Sequence, residues 1–348
     1  MKAIRFHSYG GPDVLQLDDV SVPEPGAGEA LVRVHTAGVN FSDVYQRTGL
    51  YRTAVPCTLG SEGVGVVEKV GPKAKIKPGT RVAWPSQLGS FAEFMVAPAW
   101  KLIPVPEPVD DRPAASALLQ GITAQYLCET TYPATKKTTA LVHAGAGGTG
   151  RLLIQLLKKK GARVLTTVST TEKANIAREA GADETILYTE TDFVEAVKSL
   201  TQGKGVDVVY DSVGKSTYTG SMSVLRPLGM LVLFGQSSGA VPPIDPMQLT
   251  ASGSIFLARP SLAHHIADHR SLKKRGTKVL NWVADGTLKL HIERSYPLSA
   301  VAQAYQDLEG RKTTGKLLID VASTGTPEGN LSMSDVQKNP QSEGATAG

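Results

Sequence analysis

The segment LVHAGAGGTG, residues 141–150, constrains this chain more than any other stretch. Its Gly145, Gly147 and Gly150 satisfy the spacing G-x-G-x-x-G. The chain holds 35 glycines in 348 residues, so the spacing alone decides little and the flanks must be read with it. TTALVHA before the turn is a short apolar strand. RLLIQLLKKKG after it sets Leu152, Leu153, Leu156 and Leu157 on one helical stripe. Strand, glycine turn and helix in that order predict a pyrophosphate site. The glycines let the backbone approach the phosphates, and the first helical N–H groups point at their charge.

The next strand selects the nucleotide. ARVLTTVS ends at Ser169 and continues through Thr170, Thr171, Glu172 and Lys173. An NAD site usually closes this strand with a carboxylate that accepts from the ribose 2′-OH. A carboxylate there repels a 2′-phosphate, whereas a hydroxyl and a nearby ammonium attract it. Ser169 and Lys173 therefore predict NADPH, with Glu172 the one residue in the segment that pulls toward a ribose contact.

Texture divides the chain. Residues 1–122 read as short strands and turns, among them EALVRVHTAGVN, GVGVVEKVG and SFAEFMVAP. Residues 123–260 alternate apolar runs with the helical segments TGRLLIQLLKKKG, TTEKANIAREAGA and TDFVEAVKSLTQG, the pattern of βαβ units and a parallel sheet. Residues 261–322 carry a helical region and then KLLIDV, a strand able to return to the first domain. The expected organisation is a discontinuous catalytic domain with a nucleotide domain inserted in it. Residues 323–348 are polar and predicted to form no packed element.

Composition excludes several classes. The net charge of +5 comes with lysine clusters spread along the chain (Lys136-Lys137, Lys158 to Lys160, Lys273-Lys274-Arg275), which argues against a dedicated nucleic-acid surface. Two cysteines, Cys57 and Cys128, exclude a disulfide framework or a Cys-rich zinc site. No apolar run approaches a membrane span, and the first residues lack a signal-type apolar core, so a cytoplasmic protein is expected. The densest histidine group, His264, His265 and His269, reads as surface helix. No metal is expected.

Several further segments, GGPDVL, GVNFSDVYQRTGLY, LGSEGVGVV, AGAGGTG, VVYDSVG, FGQSSG and ARPSL, together resemble the zinc-independent quinone oxidoreductases of the zeta-crystallin type, within the medium-chain dehydrogenase/reductase superfamily. The resemblance covers roughly residues 1–322. It implies an α/β protein with a GroES-like β-rich catalytic domain and a doubly wound Rossmann domain, the cofactor lying between them. Zinc alcohol dehydrogenases of the superfamily carry a Cys ligand near GVNFSD and a His in GHE; here Asn40 has no neighbouring Cys, and Ser61 stands in GSE.

Residue by residue, the resemblance implies Asn40 and Tyr45 at the nicotinamide and acceptor, Asn40 donating to a quinone oxygen. Tyr51 would wall the pocket, Asp43 would orient the loop, and Thr123 would reach the nicotinamide side. Gly147, Gly148, Thr149 and Gly150 would hold the pyrophosphate, and Tyr188 would lie by the 2′-phosphate or adenine. Ser212 and the run Phe234, Gly235, Gln236 and Ser237 would face the crevice at strand ends, with Lys316 near the cofactor. By analogy the chain forms a homodimer, MLVLFG and SGSIFLA extending a sheet across a two-fold axis.

A quinone needs no Lewis acid, because its reduced anion is delocalised and water protonates it afterwards. The expected activity is therefore NADPH-dependent quinone reduction, in which the protein mainly orients the reactants. Two alternatives stay open. One is reduction of an enone, enal or enoyl thioester, which asks for a well-placed proton donor such as Tyr45 or Tyr51. The other is an NADPH-binding protein that binds RNA.

Overall fold

The structure, a computed structural model, describes residues 1–310 and 312–321; the tail expected at 323–348 lies outside the described residues. Six parallel strands form one sheet in the order Glu184–Leu187, Arg163–Val168, Thr139–His143, Val206–Asp211, Leu225–Leu233 and Phe256–Ala258. In chain order that is 3-2-1-4-5-6, the doubly wound arrangement whose strand order reverses between the first strand and the fourth. The three helical segments expected from periodicity form Gly148–Lys159, Thr171–Glu179 and Phe193–Leu200. Thr170 and Asp192 cap the second and third through their side chains.

The remaining strands build a largely antiparallel region. A seven-stranded sheet is centred on Glu29–Gly38, which pairs with Glu62–Val70, Phe94–Pro98 and Lys316–Asp320. The register Leu318↔Gly38 brings a strand from near the end of the described chain back against the third strand. A smaller sheet of Leu15–Asp19, Lys2–Phe6 and Cys57–Thr58 packs beside it. The core here gathers Val32, Val34, Trp84, Phe91, Tyr305 and Leu317, all fully or almost fully buried.

Two helices depart from the expected run of strands and turns in the first 122 residues. Asp111–Tyr126 is a 16-residue helix, buried along most of its length, and it runs through the position where the sequence suggested a domain boundary. It packs on His269–Ala284, with Gly121 facing Val279, and forms a shared spine between the two sheets. Apolar and small residues cover it all round, so it lacks the one-sided stripe that marks a surface helix. Phe41–Arg47 is the second, opened by Asn40, whose N–H donates to Asp43 Oδ2 at 3.0 Å. A third difference concerns His265, which is half-buried and stacks on Tyr126 with ring centroids 4.0 Å apart, while His264 and His269 are exposed.

Candidate active site

The glycine turn closes tightly. A Cβ on Gly145 would meet Thr166 Oγ1 at 2.0 Å, and one on Gly150 would meet the Ala144 carbonyl at 2.4 Å, so both positions require glycine for strand and helix to touch. Ala144 itself adopts left-handed backbone, φ 55°. The helix Gly148–Lys159 has no acidic residue in its first turn and no side-chain cap. The N–H groups of Gly148, Thr149 and Gly150, which no helical carbonyl can satisfy, thus leave an uncompensated positive helix end.

This end opens onto a cavity of about 1120 Å³ between the two sheets. Among the residues singled out from sequence, Asn40, Tyr45, Tyr51 and Thr123 line it from the catalytic side and the connecting helix. Gly147, Gly148, Thr149 and Gly150 line it at the turn, and Ser169, Lys173 and Tyr188 beyond the second and third strands. Ser212, Phe234, Gly235 and Ser237 line it at the fourth and fifth strand ends, and Lys316 lines its floor. Gln236 does not line it; its main-chain N–H instead donates to Tyr45 Oη at 3.0 Å.

The chemistry at the second strand end is hydroxyl and ammonium. Thr170 Oγ1 accepts from the Lys173 N–H at 3.2 Å, which sets Lys173 in the first turn of its helix. Glu172 is exposed and outside the lining. Asp192 is the one acidic side chain in the lining among the described residues, and it is committed to the Val194 and Glu195 N–H groups. The donor set fits a 2′-phosphorylated dinucleotide.

The catalytic side is organised by a buried network. Lys316 Nζ donates to Asn40 Oδ1 and to Glu62 Oε2, both at 2.7 Å. Asn40 Nδ2 donates to the Gly38 carbonyl and to Glu62 Oε2, both at 3.1 Å. Both amide protons of Asn40 are engaged within the protein, and its Oδ1 holds Lys316, whose ammonium keeps a third proton uncommitted among the described residues. Glu62, which sequence reading passed over, also accepts from the Leu119 N–H at 2.8 Å. Thr123 Oγ1 donates to the Leu119 carbonyl at 2.7 Å, so its lone pairs rather than its proton face the cleft.

Asp43 sits beneath this network and accepts from Asn40 N–H, Ser61 and Tyr305. Burial pushes its carboxyl up to about 6, against those hydrogen bonds and the nearby Lys316. It lies outside the cavity lining and ties Asn40 and Ser61 to Tyr305. Tyr45 and Tyr51 meet edge to face at 5.2 Å, and burial raises the Tyr45 phenol above its ordinary value. Tyr126 joins them in the lining, its phenol pushed up to about 12 by burial. Ser42 Oγ and Gln46 Oε1, on the same helix as Tyr45, are buried without partners among the described residues.

A second polar cluster lies under the nucleotide side. His143 Nδ1 contacts Thr167 Oγ1 at 2.8 Å and its Nε2 contacts Ser221 Oγ at 3.0 Å. Ser221 donates to Asp211 Oδ2, while Asp211 Oδ1 accepts from the Val213 and Gly214 N–H groups. This chain shapes the loop that follows the fourth strand. Its residues were missed because nothing in their spacing along the sequence links positions 143, 167, 211 and 221.

Fold and cleft together define a two-domain, dinucleotide-dependent oxidoreductase. The Zinc-binding dehydrogenase family matches residues 148–264, and the Alcohol dehydrogenase GroES-like domain matches residues 26–107. The chain is 39% identical over 321 residues to a quinone oxidoreductase of Pseudomonas aeruginosa, covering 91% of this chain and 99% of the relative. A 2-haloacrylate reductase of Burkholderia is 38% identical, with 91% and 98% covered. Among solved structures, the Escherichia coli quinone oxidoreductase complexed with NADPH superposes with a TM-score of 0.90 at 37% identity, covering 92% of this chain and 100% of that one. A mycobacterial protein complexed with NADPH gives 0.89 at 44% identity, with 92% and 100% covered. The chain belongs to the quinone oxidoreductase family of the medium-chain dehydrogenase/reductase superfamily. Among its described residues no group of three His, Cys, Asp or Glu side chains is placed to hold a metal ion.

Proposed function

We propose that this protein is an NADPH-dependent quinone reductase. One observation carries the reading: a single cavity runs from an uncompensated helix N-terminus, past the Ser169, Lys173 and Tyr188 side chains, to an aromatic pocket of Tyr45, Tyr51 and Tyr126. The N–H groups of Gly148, Thr149 and Gly150 hold the pyrophosphate, and Ser169 and Lys173 hold the 2′-phosphate. Ser212, Phe234, Gly235 and Ser237 border the crevice where the nicotinamide lies. When bound, the cofactor supplies a hydride. The aromatic walls hold a flat acceptor against it, and Lys316 and the Tyr45 hydroxyl offer protons toward developing negative charge.

The test is a matrix of NADPH and NADH against quinones and simple enones under anaerobic conditions. Oxidation of NADPH by quinones, with NADH poorer, is expected; no turnover across the quinones overturns the reading. A second reading, reduction of an activated C=C bond, is favoured by the Tyr45 hydroxyl, which accepts from Gln236 and so keeps its own proton to give. The similarity to a 2-haloacrylate reductase supports it as well.

Among the described residues no helix is long and apolar enough to cross a membrane, and a cytoplasmic location is proposed from the composition. A homodimer is proposed through the sheet edge Phe256–Ala258, where Phe256 and Leu257 are exposed. Lys136 lies against Gly161, so two lysine clusters distant in sequence share a surface, and salt-dependent RNA retention tests whether it binds a polyanion.

A further inference from the structure

Arg259 follows Phe256–Ala258, the edge strand of the parallel sheet, and lines the cavity. With neighbouring strands roughly 4.8 Å apart, it stands three strands, roughly 14 Å, from the strand that feeds the phosphate-binding helix. It is one strand further from the end carrying Ser169. It therefore stands at the end of the cleft away from the Gly148 to Gly150 N–H groups and Ser169, on the side of Tyr45 and Tyr126.

Its charge is uncompensated. Arg259 Nη1 donates to the Leu233 carbonyl at 3.0 Å, which ties the guanidinium to the end of the neighbouring strand. Among the described residues no carboxylate pairs with it, whereas Lys316, another cation of the cleft, is neutralised by Glu62. Asp192, the acid in the lining, follows the opposite edge strand. The guanidinium lies close enough to Tyr45 and Tyr126 for its field to oppose the rise that burial imposes on both phenols. Ser42, one turn before Gln46 on the helix that bears Tyr45, adds a buried hydroxyl with no partner among the described residues to the same cavity.

We infer that Arg259 makes the acceptor end of the cleft selective for flat, electron-poor acceptors that carry a negative charge beside the reducible group, a carboxylate above all. A planar guanidinium with one donor anchored keeps a fork of N–H groups that matches a carboxylate. The aromatic walls, Tyr45 and Tyr51 set edge to face and Tyr126 beside them, take the flat part of such a molecule. The inference rests on reading the cavity as a nicotinamide-dependent reductase site and narrows its substrates by charge.

The test uses a non-reducible matched pair, naphthoate and naphthamide, titrated by calorimetry into wild type, Arg259→Gln and Arg259→Lys, with NADPH titrated separately. Wild type is expected to bind naphthoate roughly tenfold tighter than naphthamide. Arg259→Gln brings that ratio close to one, and Arg259→Lys keeps part of it. Equal binding of the pair by wild type overturns the inference, as does a preference that survives in Arg259→Gln. Weakened NADPH binding in Arg259→Gln with the ratio unchanged also overturns it, by assigning the guanidinium to the cofactor. Reduction of a neutral quinone by wild type is scored apart, so failure of the reductase reading leaves the binding ratio readable.

Discussion

The Tyr45 hydroxyl accepts a 3.0 Å hydrogen bond from the main-chain N–H of Gln236, across the cleft and 191 positions away in sequence. The contact ties the helix Phe41–Arg47 to the segment after the fifth strand of the parallel sheet. It also orients the phenol, because an oxygen that accepts from Gln236 directs its own proton elsewhere. Burial raises this phenol above its ordinary value, so it is protonated at neutral pH.

Replacement of Tyr45 by Phe separates the two chemistries proposed for the site. Quinone reduction ends in a delocalised anion that solvent protonates, so kcat/KM for a quinone should fall by no more than about tenfold. Reduction of an enone needs a proton delivered to carbon, and its kcat/KM should fall by about a hundredfold or more. Loss of one partly buried hydrogen bond should lower stability by only about 1 kcal/mol, read from urea unfolding. Equal losses for both acceptors would show that Tyr45 positions the cleft and gives no proton.

Cofactor choice should invert at Ser169. Ser169→Asp places a carboxylate where the 2′-phosphate is expected, and at short range and intermediate dielectric the repulsion amounts to a few kcal/mol. KM for NADPH should rise by about a hundredfold, while KM for NADH changes by less than about threefold. Steady-state kinetics with both nucleotides decides it; parallel changes in the two would place the 2′-position elsewhere.

Asp43 should leave a signature in the pH dependence of stability. Its carboxyl is pushed up from 3.8 to about 6 by burial, opposed by Ser61, Tyr305 and Lys316. Between those values the folded protein holds a proton that the unfolded chain has released, so this group's contribution falls as pH climbs. The gap corresponds to about 3 kcal/mol. Asp43→Asn has no such titration. The stability of wild type relative to Asp43→Asn should therefore drop by about 3 kcal/mol from about pH 3 to about pH 7 in urea unfolding. A difference that is flat or rises with pH would contradict the assignment.

What could be read from the chain was local. The strand, turn and helix around Gly147 are specified by adjacent residues, as are the hydroxyl and ammonium after the second strand. The family motifs led to residues that line the cavity, Asp43 and Gln236 excepted. The spine helix Asp111–Tyr126 was illegible because burial on every side erases amphipathic periodicity. Glu62, Ser61, Tyr305 and the cluster around His143 were illegible for another reason: their partners lie far away in sequence, and only the return strand and the sheet register bring them together. The hold of Asn40 on Glu62 and Lys316 was illegible too, because only the sheet register and the return strand bring those partners to it.

The edge strand Phe256–Ala258 should carry the dimer. It is the last strand of its sheet, with one side unpaired among the described residues, and Phe256 is 55% exposed. Open edges with large apolar side chains invite pairing with a second copy, and a two-fold axis closes such an interface. Sedimentation should show a dimer that Phe256→Lys shifts to monomer. A wild-type monomer across the concentration range would remove the proposal.

The Glu62–Lys316 pair is a testable balance between burial and pairing. Its two side chains are 0% and 2% exposed, and their 2.7 Å contact joins the third strand's neighbour to the strand that returns from the far end of the chain. Both side chains are almost fully buried, so removing one strands the other, at a cost of about 3–5 kcal/mol. Lys316→Met should therefore destabilise by that amount in urea unfolding, because among the described residues Glu62 keeps only Asn40 Nδ2 and the Leu119 N–H as donors. Adding Glu62→Gln to Lys316→Met removes the stranded charge, retains a hydrogen-bonding amide beside Asn40, and should recover part of the loss. Activity should not return with stability, because the ammonium proton proposed to face the acceptor is missing from both variants. If the double variant is no more stable than Lys316→Met, the pair is not the element that holds this floor together, and the Asn40 amide carries that task through Gly38 instead.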